Sequence, residues 1–368
     1  MTFEVEHAGS IGLYLFILVA TIASMAVFFY KYCQKPLIYL AGLLVYGLVA
    51  LLFAVQLAPE AFEIVNLAAY GIFIGGPIIL LIAVYTARRG KLLISAGFYL
   101  FLALLVVAVG IDAFLVEPHL LENSYQTIKS DKIKKPIKIA VLSDLQTDHV
   151  NSYDQEALKR VLAEKPDLIL MPGDYVQCLT DDKQIAEVIR FRDMLRRLGF
   201  GAPGGAYAVR GNAEPDGWTV EFEKTGVTAN EKTSLYKSLD LDITALSFAD
   251  SFNTAYKYKH LDDGRFQIIF GHGPDFALAH PQADLLIAGH THGGQVRLPG
   301  IGPILTLSKV PRSWAAGRTE IDPATTLIVS RGVGMERRYA PRLRFLCRPQ
   351  LVFITLIPAH PASADKIR

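Results

Sequence analysis

Four apolar stretches, at 11–30, 37–57, 67–87 and 92–116, fill the first third of this chain. Each reaches the roughly 20 residues that a helix needs to cross a hydrocarbon layer about 30 Å thick. The sequence therefore predicts an all-α bundle of four transmembrane helices within 1–116, in a multi-pass membrane protein. For any single run, a buried core helix or a signal peptide is the plainer reading, and Ala23-Ser24-Met25-Ala26 mimics a cleavage site. Against that, Glu4 and Glu6 stand where a signal peptide carries basic residues, and three further runs follow.

Charge separates this region from the rest. Only five of the 37 Lys and Arg residues, and five of the 35 Asp and Glu, fall in 1–116. The short loops fix an expected orientation: Lys31 and Lys35 lie between the first two runs, and Arg88, Arg89 and Lys91 between the last two. Those loops should be cytoplasmic, which places everything after the fourth helix on the outer or periplasmic face. A formal net charge of +2 gives no reason to expect nucleic acid as a partner. Of the three cysteines, Cys33 sits in a cytoplasmic loop, leaving Cys178 and Cys347 as the one pair able to form a disulfide outside.

Residues 117–135 mix polar and charged types without a sustained period and read as a linker. From Pro136 to 368 a rhythm of apolar run, Gly- or Asp-rich turn and amphipathic helix predicts an α/β domain with strands buried on both faces. Ligands of such sheets bind beyond the carboxyl ends of the strands. Five successive strands deliver a polar residue to that position: Asp144, Asp174, Asn212, His272, and His290 with His292. Oxygen and imidazole donors of this kind suit two divalent cations, of Mn, Fe, Zn or Mg. Such a pair activates a water as hydroxide for in-line attack on phosphorus. No convincing Ser/His/Asp or Cys/His arrangement competes. Singly, an Asp or Asn after a strand is more often a turn or helix cap; it is the series, closed by His-x-His and two glycines, that outweighs the bland reading.

The blocks Ser143-Asp144-Leu145-Gln146, Gly173-Asp174, Gly211-Asn212-Ala213-Glu214, Gly271-His272 and Gly289-His290-Thr291-His292-Gly293-Gly294-Gln295 resemble the calcineurin-like metallophosphoesterase series, in order and in spacing. The family's pattern is D-x-H, G-D, G-N-H-D/E, G-H and G-H-x-H. The stretch 289–295, with Arg331-Gly332-Val333-Gly334 and Arg348-Pro349-Gln350, is similar to its bacterial membrane-associated branch. The resemblance covers about 136–357 and implies a mixed-sheet α/β sandwich. It implies Asp174 as bridging carboxylate, Asp144 and His292 on a first metal, and Asn212, His272 and His290 on a second. Asp144, Asp174, Asn212 and His290 would carry the catalysis. Gln146 replaces the first histidine of the pattern, and Ala213 replaces the histidine after the asparagine.

Gln146 can still ligate through its amide oxygen, with a tilt toward harder ions; Asp148 or His149 offers compensation, and Gln177, three residues past the bridging aspartate, is a further candidate. Ala213 removes a proton donor to the leaving group, which favours phosphodiester or pyrophosphate substrates over alkyl monoesters. The arginines Arg331, Arg337, Arg338, Arg342, Arg344 and Arg348 read either as a solvated loop or as a basic rim gripping phosphate. His7, His119, His260, His280 and His360 fit no block and read as surface or linker residues. The expected function is hydrolysis, by a metal-bridging hydroxide, of a phosphodiester or pyrophosphate bond in a membrane-associated, lipid-linked substrate. A non-catalytic scaffold of the same fold and a tethered hydrolase of soluble phosphoesters or nucleotides are the rivals. The substrate, the metal and the oligomeric state are not set by the sequence.

Overall fold

The computed structural model describes residues 2–58, 60–258 and 264–360, with side chains from residue 9 onward. His260 and the side chain of His7, both expected at the surface, lie outside the described residues. The chain divides into two compact units, 1–115 with 339–342, and 116–338 with 343–368.

The first unit consists of helices α1 (Thr2–Lys31), α2 (Pro36–Leu57), α3 (Ala61–Tyr70), α4 (Gly76–Arg89) and α5 (Leu93–Ile111). α3 and α4 are joined by a π-helical turn, Gly71–Gly75, into one 29-residue span, and among the described residues four helices are long and apolar enough to cross a membrane. The turn has a steric cause. Tyr46 donates its hydroxyl to the Gly71 carbonyl at 2.7 Å, and a Cβ on Gly75 would lie 1.9 Å from that hydroxyl oxygen. Only glycine lets the ring enter, and a carbonyl so captured accommodates the widened turn. Large apolar side chains such as Phe16, Leu44 and Ile94 stay exposed, at 70, 66 and 92%. A helix apolar all round suits a lipid surround.

The second unit is built on strands β1 (Glu122–Ser130), β2 (Ile137–Val141), β3 (Leu168–Met171), β4 (Ala206–Ala208), β5 (Thr228–Ala229), β6 (Ser234–Ser238) and β7 (Leu241–Ala245). It continues with β8 (Phe266–Phe270), β9 (Leu285–Ala288), β10 (Arg297–Leu298), β11 (Gly302–Pro303), β12 (Gly317–Asp322), β13 (Thr325–Val329) and β14 (Gln350–Pro358). Two six-stranded sheets result, β1-β14-β2-β3-β4-β5 and β12-β13-β9-β8-β7-β6. In each, a run of parallel strands is flanked by an antiparallel partner: β14 against β2 in the first, β6 and β12 at the edges of the second. This is the mixed-sheet α/β sandwich. Ile139, Val141, Leu168 and Leu170 of the first sheet meet Ile243, Ile268, Phe270 and Ile287 of the second in one apolar core.

Helices α6 (Ser152–Ala163) and α7 (Asp181–Leu198) cover the outer face of the first sheet through Ala157, Leu158, Val161, Phe191 and Leu195. The start of α6 is set by Asn151, whose side chain accepts from Tyr153 N while Asp154 accepts from Asn151 N. The strand-helix alternation expected throughout holds only in this half. The second sheet is crossed by short turns instead, including α8 (Phe248–Ser251) and a single 3-10 turn, Asp275–Ala279.

Part of the expected linker is a strand: Glu122–Ser130 pairs in parallel with Gln350–Pro358 over nine residues. As an edge strand it buries only Ile128 and exposes Tyr125, so its composition carries no apolar period. Cys178 and Cys347, the one pair able to form a disulfide outside, are not joined; all three cysteines are free. Cys178 Sγ faces the Asp148 carbonyl at 3.6 Å, and Cys347 Sγ the His292 carbonyl at 3.2 Å.

Candidate metal centre

The polar residues at the strand ends converge. β2 leads to Asp144, β3 to Asp174, β4 to Asn212, β8 to His272, and β9 to His290 and His292. Acceptor atoms of Asp144, Asp174 and His272 lie within 4.8 Å of one another. Asn212 Oδ1 is 2.9 Å from both His272 Nε2 and His290 Nδ1, and those two nitrogens are 3.1 Å apart. His272 Nε2 is 3.6 Å from Asp174 Oδ1, and His292 Nε2 is 4.0 Å from Asp144 Oδ1.

Tight backbone makes this approach achievable. Asp144, Gln146, Asp174, His290 and His292 all have φ between +41 and +69°, in the left-handed region where non-glycine residues are strained. A Cβ on Gly211 would fall 2.1 Å from Asp174 Oδ1, and one on Gly289 would fall 1.9 Å from Ser143 Oγ. Glycine at 211 and at 289 is therefore required for the two carboxylates to sit where they do.

The donor inventory shows what the site is made to hold. A carbonyl can only accept, so His272 Nδ1, 2.7 Å from Pro172 O, and His290 Nε2, 3.1 Å from Leu307 O, must carry the imidazole protons. The opposite nitrogens, His272 Nε2 and His290 Nδ1, then turn lone pairs toward each other and toward Asn212 Oδ1. Burial holds both histidines down at about 4, so at neutral pH no proton lies between them. The two bare nitrogens, 3.1 Å apart with no proton between them, face one point that a cation can fill. The same is true nearby: Asp174 Oδ2, Gln146 Oε1 and both ring nitrogens of His292 are buried and lack a hydrogen-bond partner. The residues thus fit divalent ions by orientation and by chemistry.

Electrostatics agree. Burial raises Asp144 well above the usual carboxylate range, with the Asp174 charge adding to it. Burial pushes Asp174 up to about 7, partly offset by hydrogen bonds from Ala213 N and Asn212 N. Positive charge in the cleft is what such carboxylates lack. Glu214 accepts from Asp174 N, Tyr175 N and Gly211 N at 3.0, 2.6 and 2.6 Å and so ties the β3 and β4 loops together.

Several expected contributors lie elsewhere. Asp148 pairs with Arg337 Nε at 3.4 Å and His149 Nδ1 with Glu187 at 3.3 Å, so neither stands in for the missing histidine. The basic rim dissolves in part. Arg344 is fully buried and donates to the carbonyls of Gly334, Cys347 and Arg331, where it staples the loop before β14. Arg331 pairs with Glu122. Gln177 touches Gln146 rather than offering a separate ligand. Glu336, bonded to Gln146 Nε2 at 3.1 Å and Gln177 Nε2 at 3.0 Å, carries no sequence signal, since nothing marks residue 336 as a neighbour of residue 146.

A two-sheet sandwich with this donor set defines a metal-dependent phosphoester hydrolase, and comparison with known proteins names its family. The calcineurin-like phosphoesterase family matches residues 137–294. The uncharacterized metallophosphoesterase YkuE of Bacillus subtilis is 32% identical over 262 residues, 66% of this chain and 87% of that protein. An uncharacterized metallophosphoesterase of Aquifex aeolicus is 28% identical over 268 residues, covering 68% and 97%. The phosphodiesterase YaeI of Escherichia coli is 28% identical over 239 residues, covering 60% and 83%. The chain belongs to the calcineurin-like metallophosphoesterase family.

Proposed function

We propose that this protein is a membrane-anchored phosphodiesterase or pyrophosphatase acting on a lipid-linked substrate. The reading is carried by the convergence of Asn212 Oδ1 with the bare nitrogens of His272 and His290 beside the two buried aspartates. Asn212, His272, His290 and Asp174 would hold one divalent ion, and Asp144, Gln146, His292 and Asp174 the other. Bound there, the ions would supply Lewis acidity toward the phosphoryl oxygens and a water acidified to neutral pH. The protein's own part is to hold these donors deprotonated, to fix their angles through Pro172 and Leu307, and to orient the phosphoryl group for in-line displacement.

Position 213 sets the substrate class. Ala213 is buried and gives only its backbone N–H, to Asp174 Oδ1 at 2.8 Å. With no imidazole there, a leaving group that is stable as an anion, such as a phosphomonoester or an aryl oxide, is favoured over an alkoxide.

Two observations support the membrane and lipid parts. Beside the centre, the β10–β11 hairpin and the segment after it expose Ile301, Ile304, Leu305 and Leu307 at 61, 51, 41 and 49%, and Leu307 is the residue that anchors His290. Apolar side chains exposed together at a phosphate site suit acyl chains or a bilayer surface. The four apolar helices, with Lys31, Lys35, Arg88, Arg89 and Lys91 in two of the loops between spans, support a multi-pass anchor with the hydrolase outside the cytoplasm. The test is Mn-dependent cleavage of an aryl phosphodiester and of a phospholipid in vesicles by detergent-purified full-length protein, beside Asp174→Asn. Activity no greater than that variant's, with each common divalent ion, defeats the proposal; equal turnover of soluble and vesicle substrates defeats its lipid part.

A further inference from the structure

A backbone N–H fixes the orientation of every amide in the network behind Gln146. Arg337 N lies 2.9 Å from the outward-facing atom of Gln177's amide. A backbone N–H can only donate, so that atom is the oxygen, Oε1, and the Gln177 amide cannot be reversed. Its Nε2 then donates to Glu336 Oε1 at 3.0 Å, and its Oε1 also accepts from Gln146 Nε2 at 3.0 Å. Gln146 Nε2 spends its second proton on Glu336 Oε2 at 3.1 Å. Both N–H bonds of Gln146 are thus consumed on the side away from the centre. Gln146 Oε1 is left buried without a partner, on a side chain two residues beyond Asp144. Glu336 is itself held in place, by its N–H to Gln295 Oε1 at 2.7 Å, within the Gly289–Gln295 segment that also supplies His290 and His292.

We infer that Glu336 is a positioning residue for the metal centre: through Gln177 it clamps the Gln146 amide so that Oε1, not Nε2, faces the cation held by Asp144 and His292. The inference rests on the metal-centre reading and deepens it. A glutamine in place of an imidazole can ligate in only one of its two amide orientations, whereas an imidazole needs a tautomer but offers nitrogen either way. The carboxylate supplies the selection, because it accepts two hydrogen bonds and donates none. A hard amide oxygen on this side moves the site's preference toward Mn or Mg and away from Zn.

The experiment is titration of the ion-free full-length protein in detergent with Mn²⁺, read by calorimetry as stoichiometry and affinity, alongside its melting temperature in chelator. Glu336→Gln removes one of the two acceptors the clamp needs and frees Gln146 to turn its NH2 inward. One of two ions should then bind about 10- to 100-fold more weakly, the range for loss of a partner that orients a ligand. Gln146→Met, which removes the oxygen and leaves Glu336 in place, should weaken the same ion. The double variant Gln146→His with Glu336→Gln should recover affinity to within about 10-fold, because an imidazole can donate one N–H to the fixed Gln177 oxygen and still present a nitrogen lone pair with no amide orientation to select. Two ions bound with wild-type affinity by Glu336→Gln or by Gln146→Met overturn the clamp, as does a double variant no tighter than Glu336→Gln at unchanged melting temperature. If Asp174→Asn also keeps both ions, the metal-centre reading fails; if it loses them while Glu336→Gln does not, only the clamp does.

Discussion

The two halves of the proposed metal centre are positioned by different means. On one side, His272 and His290 each anchor their outer nitrogen on a backbone carbonyl, Pro172 O and Leu307 O. On the other, Gln146 is oriented by two side chains, Gln177 and Glu336, 31 and 190 residues away. A carbonyl comes with the fold and survives any substitution at its own residue. A side-chain clamp survives only while each member is kept. The histidine half should therefore tolerate change around it, and the amide half should be where this chain differs in metal preference and rate from proteins with an imidazole at position 146.

Loss of the residue shared by both halves tests the comparison most severely. Asp174→Asn should cut phosphodiesterase activity by at least about 10³-fold and abolish two-ion binding, measured by initial rates and by metal analysis. A variant that keeps one ion would show the halves to be independent sites. Ala213→His should raise the rate on alkyl phosphomonoesters by up to about 10²-fold, the lower end for a general acid, and leave activated aryl diesters almost unchanged. An equal gain on both would mean that leaving-group protonation is not what Ala213 lacks. Gln146→His should raise the ratio of Zn²⁺ to Mn²⁺ affinity by about tenfold, and the change should appear in one of the two ions alone. Replacing Ile304 and Leu305 by Asp should slow cleavage of vesicle-borne substrate by about tenfold, on the order of the burial of one or two apolar side chains, with the soluble diester unaffected.

Acid should separate the shared carboxylate from the histidines at the smallest cost. Asp174 has a raised value near 7, so in the ion-free protein it is protonated below that pH, and a cation must displace the proton. His272 and His290, held near 4, stay unprotonated over the same range. The stabilisation given by Mn²⁺, followed as the rise in melting temperature, should accordingly shrink as pH falls through about 7. For the ion-free protein the histidine contribution has the opposite base: their values are depressed below the unfolded 6.5, so it is complete above 6.5 and disappears as pH falls toward 4. A cation effect constant from pH 8 to 5.5 would contradict the carboxylate assignment.

What could be read from the sequence follows the same division. Asp144, Asp174, Asn212, His272, His290 and His292 each follow a short, mainly apolar strand, and all but Asp144 adjoin a glycine, so local composition marks them. The four long helices announce themselves by length and hydropathy. Glu336 cannot be found this way, and Gln177, picked out by its spacing as a ligand, orients Gln146 instead, because these contacts close only in three dimensions. Arg344 misleads for the same reason: an arginine among arginines reads as solvated, yet three carbonyls from its own loop bury it completely. β1 was hidden because an edge strand with one buried side chain keeps a polar composition.

The place of β14 in the first sheet has a consequence for synthesis. Gln350–Pro358 lies between β1 and β2, two strands made more than 200 residues earlier, so β1 has no partner and β2 only β3 while the ribosome is still reading the sequence between them. The Asp144 loop waits as well, because Val333 N and Gly334 N donate to the Ser143 and Asp144 carbonyls. Ion capture at the proposed centre should therefore wait until translation has passed residue 358, and a nascent chain released earlier would carry an open sheet edge.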